Sequence, residues 1–256
     1  MNTPFSLYRD VASWRAARGG AAFRDVRIGF VPTMGALHAG HASLLERARR
    51  ENDRVVLSIF VNPTQFDDPE DLSRYPRTLA EDLDVAGPFV TDVLMPGAEE
   101  LYGDGYRFRV TERDLSREME GAARPGHFDG VLTVVTKLLN LVQPHRLYLG
   151  EKDWQQLELI RGLCRSFFVP TEVVACPTVR DRDGLALSSR NVRLSAAGRA
   201  RAARFPAILR EAADGPAAAR QLAEAGLEVD YVTERGGRRL AAIRVDGVRL
   251  IDNVAL

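Results

Sequence analysis

Arg27-Ile28-Gly29-Phe30-Val31-Pro32-Thr33-Met34-Gly35-Ala36-Leu37-His38-Ala39-Gly40-His41 is the stretch that decides the fold. Its first five residues read as a short strand that ends at Pro32, and the pattern from His41 to Glu51 reads as a helix. Strand, glycine-bearing loop and helix open a βαβ unit. Three more strands follow at similar spacing, at Arg54 to Val61, Thr91 to Met95 and Arg146 to Leu149. Helical patterns fall at Thr78 to Val85, Gly130 to Val142 and Trp154 to Phe167. Parallel strands need crossovers of this kind, so the first two-thirds of the chain predicts an α/β fold with a parallel sheet. Ligands of such sheets sit beyond the carboxyl ends of the strands, which directs attention to the residues just after each one.

The composition shifts near residue 195. Ser195 to Ala225 is rich in Ala and Arg, with helical periodicity and breaks at Pro206 and Gly215-Pro216. Alternating segments follow at Glu228 to Val232, Arg239 to Val245 and Arg249 to Val254, with hairpin-turn signals at Gly236-Gly237 and Asp246-Gly247. We therefore expect two domains, a Rossmann-like sheet over residues 1–179 and a smaller α+β domain over 180–256. The arginines from Arg199 to Arg210 read as a solvated helix face.

The 256 residues carry 35 Lys plus Arg and 35 Asp plus Glu, a formal net charge of zero. Nothing global attracts a polyanion, which argues against a nucleic-acid wrapper but leaves room for a local anion site. No apolar run approaches the roughly 18 residues of a membrane span. The N-terminal stretch MNTPFSLYRDVASWRAARGG lacks the apolar segment of a secretory signal. Cys164 and Cys176 form no metal or redox motif and read as buried thiols. The expectation is a cytoplasmic protein with reduced thiols.

Five segments carry candidate chemistry. His38 and His41, with Gly40 between them, open a helix after the first strand, where free backbone N–H groups and the helix dipole favour an anion. Protonated imidazole there would stabilise charge developing on phosphorus. Neither a Walker A pattern nor G-x-G-x-x-G is present, so any nucleotide site follows another plan. Asn62 and Gln65, after the second strand, are neutral groups suited to a ligand with hydroxyl and carboxylate oxygens, although Asn62-Pro63 alone also reads as a turn. Arg124 and His127 could meet phosphate, but a loop with Asp129 as helix cap explains that segment as well. After the fourth strand, Lys152 is a point charge for phosphate, and Asp153 stands where a helix cap, a metal or a ribose hydroxyl would want it. Gln156 lies about one helical turn beyond Lys152. Ser188, Ser189 and Arg190 follow Asp183-Gly184 and suit a mobile phosphate clamp; no G-x-S-x-G elbow surrounds either serine.

Taken together, PTMGALHAGH, SIFVNPTQF, RPGHFDGV, LGEKDWQQ and LSSRN resemble the pantothenate synthetase (pantoate–β-alanine ligase) family, from Val31 to the terminal Arg249-Leu250-Ile251-Asp252-Asn253. The resemblance implies a Rossmann-like nucleotidyltransferase (H-x-G-H) domain and a two-step reaction. ATP and pantoate would give a pantoyl adenylate and pyrophosphate, and the amine of β-alanine would then displace AMP. His41 matches the family's proton donor and His38 its partner, with Lys152 and Arg190 as further catalytic residues. Met34, Gly35, Ala36, Leu37, His38, Ala39, Gly40 and His41 would line the ATP site. Lys152, Ser188, Ser189 and Arg190 would hold its phosphates, with Gly150, Glu151, Asp153, Val179 and Leu187 around the nucleotide. Gln65 and Gln156 match the pantoate pair, joined by Asn62, Arg124 and His127 for pantoate or β-alanine. Mg²⁺ would come with ATP, near Asp153, without a protein cage of its own. The family also implies a homodimer and no nucleic-acid or membrane partner. Leu187 stands where the family usually has Met, Trp154 where a smaller aromatic is common, and the C-terminal part reads as short, with a trimmed turn at Gly236-Gly237. The rivals are another H-x-G-H nucleotidyltransferase, a non-catalytic nucleotide sensor and a tRNA-charging relative. The last is disfavoured by neutral charge and the absence of length for an anticodon-binding domain.

Overall fold

The computed structural model describes residues 5–256. Residues 1–4, the start of the stretch read above as lacking a secretory segment, lie outside the described residues. Six strands form one parallel sheet: β1 (Ser6–Tyr8), β2 (Ile28–Thr33), β3 (Arg54–Ile59), β4 (Asp92–Leu94), β5 (Arg146–Gly150) and β6 (Glu172–Cys176). Their spatial order is β1-β4-β3-β2-β5-β6. The chain winds from β2 toward β3 on one side and toward β5 on the other. The switch of direction therefore falls at β2, and the loops after β2, β3 and β5 leave neighbouring strands. This is the Rossmann-like sheet expected from the sequence.

The helices that accompany the sheet are α1 (Val11–Arg18), α2 (Ala39–Glu51), α3 (Pro69–Ser73), α4 (Leu79–Ala86), α5 (Ala98–Tyr102), α6 (Met119–Ala123), α7 (His127–Val142) and α8 (Trp154–Ser166). Strand side chains alternate between two cores. Phe30 and Val56 join Trp14 and the apolar faces of α7 and α8, while Val31, Val55 and Leu57 join Leu44, Leu45 and Ala48 of α2 and Ala86 of α4. Burial on both faces is why β3 reads as a continuous apolar run rather than an alternating one. Cys164 and Cys176 are buried and form no disulfide, and burial pushes the Cys164 thiol up.

The remaining elements are α9 (Ala196–Ala202), α10 (Phe205–Glu211), α11 (Gly215–Glu224) and the antiparallel sheet β7 (Glu228–Arg235), β8 (Arg238–Val245) and β9 (Val248–Ala255). Pro206 and Pro216 sit in the first turns of α10 and α11, where their missing N–H costs nothing; they start helices rather than interrupt one. Phe205, Leu209 and Leu222 form a separate core with Ala241, Ile243 and Leu250 of the small sheet. The chain divides into two compact units. The first holds the residues up to Leu37, His41–Gly150 and Gln155–Cys176; the second holds His38–Gly40, Glu151–Trp154 and Pro177–Leu256. Among the described residues no helix is long and apolar enough to cross a membrane.

Candidate active site

The loop after β2 is held from below by a buried carboxylate. Gly35 and Ala36 both take left-handed backbone conformations, at φ +82° and +52°. Their turn exposes successive N–H groups, and Asp82 of α4 receives them: Ala36 N–H donates to Oδ2 at 3.1 Å and Leu37 N–H to Oδ1 at 2.7 Å. Thr78 Oγ1 adds a bond to Oδ1 at 3.3 Å. A Cβ on Gly35 would stand 2.8 Å from Asp82 Oδ2, so position 35 requires glycine for space as well as for φ. Thr33 ties the loop's entry, donating to Ser58 O at 2.8 Å and accepting from Gly35 N–H at 3.2 Å. Motif reading of the sequence does not pick out Asp82. Its one signal is an acidic residue on the apolar face of α4, in register with Leu79, Leu83 and Ala86.

His38 accepts the N–H of Gly40 at Nδ1, 3.1 Å away. An accepting Nδ1 puts the ring proton on Nε2. Burial, and next the charge of Lys152, hold the His38 imidazolium below its ordinary range, with Asp153 pulling the other way. Both effects favour the neutral ring, with Nε2–H as its donor. His41 stands half-buried in the first turn of α2.

Asn62, at the end of the β3 connection, is buried, and every hydrogen-bonding position of its amide is taken. Nδ2 donates to Gln65 Oε1 at 3.0 Å and to Gly130 O at 3.2 Å; Oδ1 accepts from Thr64 Oγ1 at 3.0 Å and Tyr102 OH at 2.6 Å. Asn62 has no capacity left for a ligand and orients Gln65 instead. With its Oε1 fixed, Gln65 presents Nε2, a donor that suits a carboxylate or hydroxyl oxygen.

Arg124 and His127 are both hydrogen-bonded to the Gln65 segment. His127 Nδ1 donates to Gln65 O at 2.8 Å, and Arg124 donates to the same oxygen at 3.2 Å, to Asp67 at 2.9 Å and toward His127 Nε2 at 3.3 Å. Burial, then the neighbouring guanidinium, push the His127 imidazolium down to about 4. The two side chains latch the Gln65 segment to the start of α7. Asp129 is not the cap: Gly126, at φ +82°, is the residue before α7, and Asp129 lies in its first turn, where a negative charge suits the helix dipole. Gly130 meets the same segment so closely that a Cβ there would stand 2.4 Å from Thr64 O.

In the second unit, Glu151–Asp153 makes one 3-10 turn. Lys152 Nζ lies 3.3 Å from Asp153 Oδ1, and the lysine side chain is 20% exposed. Leu187 N–H bonds Val179 O at 3.0 Å, closing a hairpin-like loop that delivers Ser188. Ser188 Oγ caps the following turn, accepting from Arg190 N–H at 3.2 Å. Leu187 Cβ lies 3.9 Å from where a Gly40 Cβ would be, an apolar packing role that Leu and Met fill alike. The Trp154 ring lies against Gly236, whose Cβ would be 2.8 Å from it, so the glycine turn makes room for the larger aromatic. Of the adjacent glutamines, Gln155 is buried and bonds Leu115 O, Glu118 O and Glu120 N–H. Gln156, the next residue, is half-buried in the first turn of α8.

A parallel sheet whose winding reverses at β2 defines a doubly wound α/β protein, a class that takes its ligands beyond the carboxyl ends of the central strands. The chain belongs to the Pantoate-beta-alanine ligase family, whose model matches residues 6–255. It is 51% identical over 246 residues to the pantothenate synthetase of Bdellovibrio bacteriovorus, covering 95% of each chain. It is 48% identical over 233 residues to that of Legionella pneumophila strain Corby, covering 91% of this chain and 92% of the relative. The pantoate-beta-alanine ligase of Francisella tularensis, solved in complex with beta-gamma ATP and beta-alanine, superposes with a TM-score of 0.92 at 39% identity over 98% of this chain and 97% of that one. Pantothenate synthetase from Thermus thermophilus gives 0.86 at 45% identity, over 98% and 99%. That coverage corrects the expectation of a short C-terminal part: among these relatives its length is ordinary.

Proposed function

We propose that this protein condenses pantoate with β-alanine, using ATP, through a pantoyl adenylate. One observation carries the reading. The loops after β2, β3 and β5, where a doubly wound sheet takes its ligands, hold the PTMGALHAGH, NPTQF and GEKDWQQ segments in a chain 51% identical to a pantothenate synthetase.

In the first step a pantoate carboxylate oxygen attacks the α-phosphorus of ATP, and the bond to the bridging oxygen breaks to release pyrophosphate. In the second, the β-alanine amine attacks the acyl carbon, the acyl–oxygen bond breaks with AMP as leaving group, and the amine loses a proton. Charge grows on phosphate oxygens in the first step, so positioning and fixed donors supply most of the catalysis. His41 is assigned as proton donor at the helix N-terminus, and His38 as a neutral Nε2–H donor. Lys152, Ser188, Ser189 and Arg190 hold phosphates. Met34 to His41 line the nucleotide, with Gly150, Glu151, Asp153 and Val179 around it and Leu187 packing behind. Gln65 and Gln156 take pantoate, and Asn62, Arg124 and His127 act through Gln65.

Mg²⁺ is read as part of the MgATP substrate, with Asp153, beside Lys152, as the carboxylate of that neighbourhood. Residues 180–256 are proposed as a lid to the ATP- and pantoate-binding domain 1–179, and the working form as a homodimer in the cytoplasm. Two buried cysteines outside any disulfide support that compartment.

The test is stepwise. Pyrophosphate release should require pantoate, and AMP release should require β-alanine as well. His41→Ala should slow pyrophosphate release by about a hundredfold or more. AMP retained in a stable dinucleotide product, or full turnover by His41→Ala, would overturn the assignment.

A further inference from the structure

Asp252 and Asn253, neighbours on β9, are not themselves assigned to a substrate, yet both are buried polar residues. Their bonds divide between two loops of the second unit. Asn253 Nδ2 donates to Glu151 O at 2.9 Å and Lys152 O at 3.0 Å, so it grips the backbone of the 3-10 turn that bears Lys152. Its Oδ1 accepts from Arg238 Nε at 2.6 Å, and Arg238 also lies 3.4 Å from the Glu151 carboxylate. Asp252 faces the other loop. Its two oxygens take the Arg180 guanidinium in a fork, at 2.6 and 2.9 Å, with the carboxylate fully buried. Arg180 bridges Ala186 across the loop and donates to Gly184 O at 3.1 Å. From Ala186 the order passes on, since its carbonyl accepts from Asn191 Nδ2 at 3.0 Å and the chain runs directly into Ser188, Ser189 and Arg190. Asn253 N–H closes the pair on itself by donating to Asp252 Oδ1 at 2.8 Å.

We propose that Asp252 and Asn253 form a positioning pair that fixes the Lys152 turn relative to the Ser188–Arg190 loop, and so governs the phosphate grip that serves adenylate formation. The proposal rests on the function assigned above. Lysine is a flexible point charge, so its usefulness to a phosphate depends on how firmly its backbone is rooted. A bidentate Arg–carboxylate pair is the geometry that transmits orientation best, because two parallel bonds remove rotation about either. One dipeptide thus sets two loops on one strand. A purely structural dipeptide would lower stability without distinguishing one substrate from another.

The variants are Asn253→Ala, which removes both donors, and Arg238→Ala, which leaves both donors and removes the brace on Asn253 together with the Arg238–Glu151 ion pair. Pyrophosphate release is followed against ATP and AMP release against β-alanine, alongside thermal unfolding. Asn253→Ala should raise the ATP KM about tenfold, the equivalent of about 1.4 kcal/mol, and leave the β-alanine KM within about twofold. Arg238→Ala should shift the same constant in the same direction by less. In a Lys152→Ala background, Asn253→Ala should add almost nothing, because residues acting through one another are not additive. Equal changes in both KM values, or full additivity with Lys152→Ala, would overturn the proposal. If Asn253→Ala does not fold, Arg238→Ala decides by the same two criteria. Calorimetric binding of α,β-methylene-ATP, which needs no turnover, keeps the two readings apart. Binding by the wild-type protein without pantoate-dependent pyrophosphate release sinks the proposed function, while weaker binding in the variants still supports the positioning pair.

Discussion

His127 is neutral at pH 7 because its ring is buried and both nitrogens are committed, Nδ1–H to Gln65 O and Nε2 to the Arg124 guanidinium. Its value in the folded protein, about 4, lies below the ordinary 6.5. Between those two pH values the unfolded chain binds a proton that the folded protein refuses. The stabilisation is therefore whole above 6.5, falls away as pH drops toward 4, and amounts to roughly 3 kcal/mol. Urea unfolding of the wild type and of His127→Asn, which keeps a donor near Gln65 O, checks this. The variant should show a flatter dependence between pH 7 and 4. Asp82 makes a second residue-level prediction. Asp82→Asn places an NH₂ against N–H donors and should cost about 2 kcal/mol, with a raised ATP KM. Ala36→Gly in that background should restore part of the loss, since Ala36 sits at φ +52° and glycine relieves the strain. Thermal unfolding and steady-state kinetics of the single and double variants measure both effects.

Elements show which signals survive translation from sequence to structure. β2, β3 and β5 are legible because strands buried on both faces are apolar throughout, and the two C-terminal hairpins because Gly236-Gly237 and Asp246-Gly247 turn where β7, β8 and β9 meet. β1 is not legible: three residues at a sheet edge carry too little pattern. α7 begins at His127 rather than Gly130, because Gly130 lies inside the helix for close approach and Gly126 makes the turn. The site divides likewise. Loop residues that meet ligand stand in recognisable strings, whereas Asp82 and Asn253 reach their partners from 45 and 101 residues away, and no local string records that. At this scale Gly130→Ala is decisive. Its Cβ would collide with backbone at Thr64 O, which cannot rotate aside, so we expect a loss of about 1–3 kcal/mol. Displacing Gln65 should also raise the pantoate KM, a pairing that chemical denaturation and initial rates together would reveal.

At the scale of the whole molecule, the two units have separate cores, and each holds one of the two tryptophans, Trp14 in the first and Trp154 in the second. Leu222→Ala, at a fully buried position of α11, should cost about 2–5 kcal/mol in the second core. Fluorescence of Trp154 in a Trp14→Phe background should report a lowered midpoint, while Trp14 in the complementary Trp154→Phe background should move less. Coincident shifts would mean that the units unfold as one. The positions of Lys152 and Asn253 in the chain also order events in time. Asn253 follows Lys152 by 101 residues, and a ribosome adds about 5–20 residues per second. A growing chain therefore carries its Lys152 turn for about 5–20 s before the strand that clamps it has been made. The parallel sheet is fully synthesised within that interval, so during translation the scaffold precedes the clamp on the Lys152 turn.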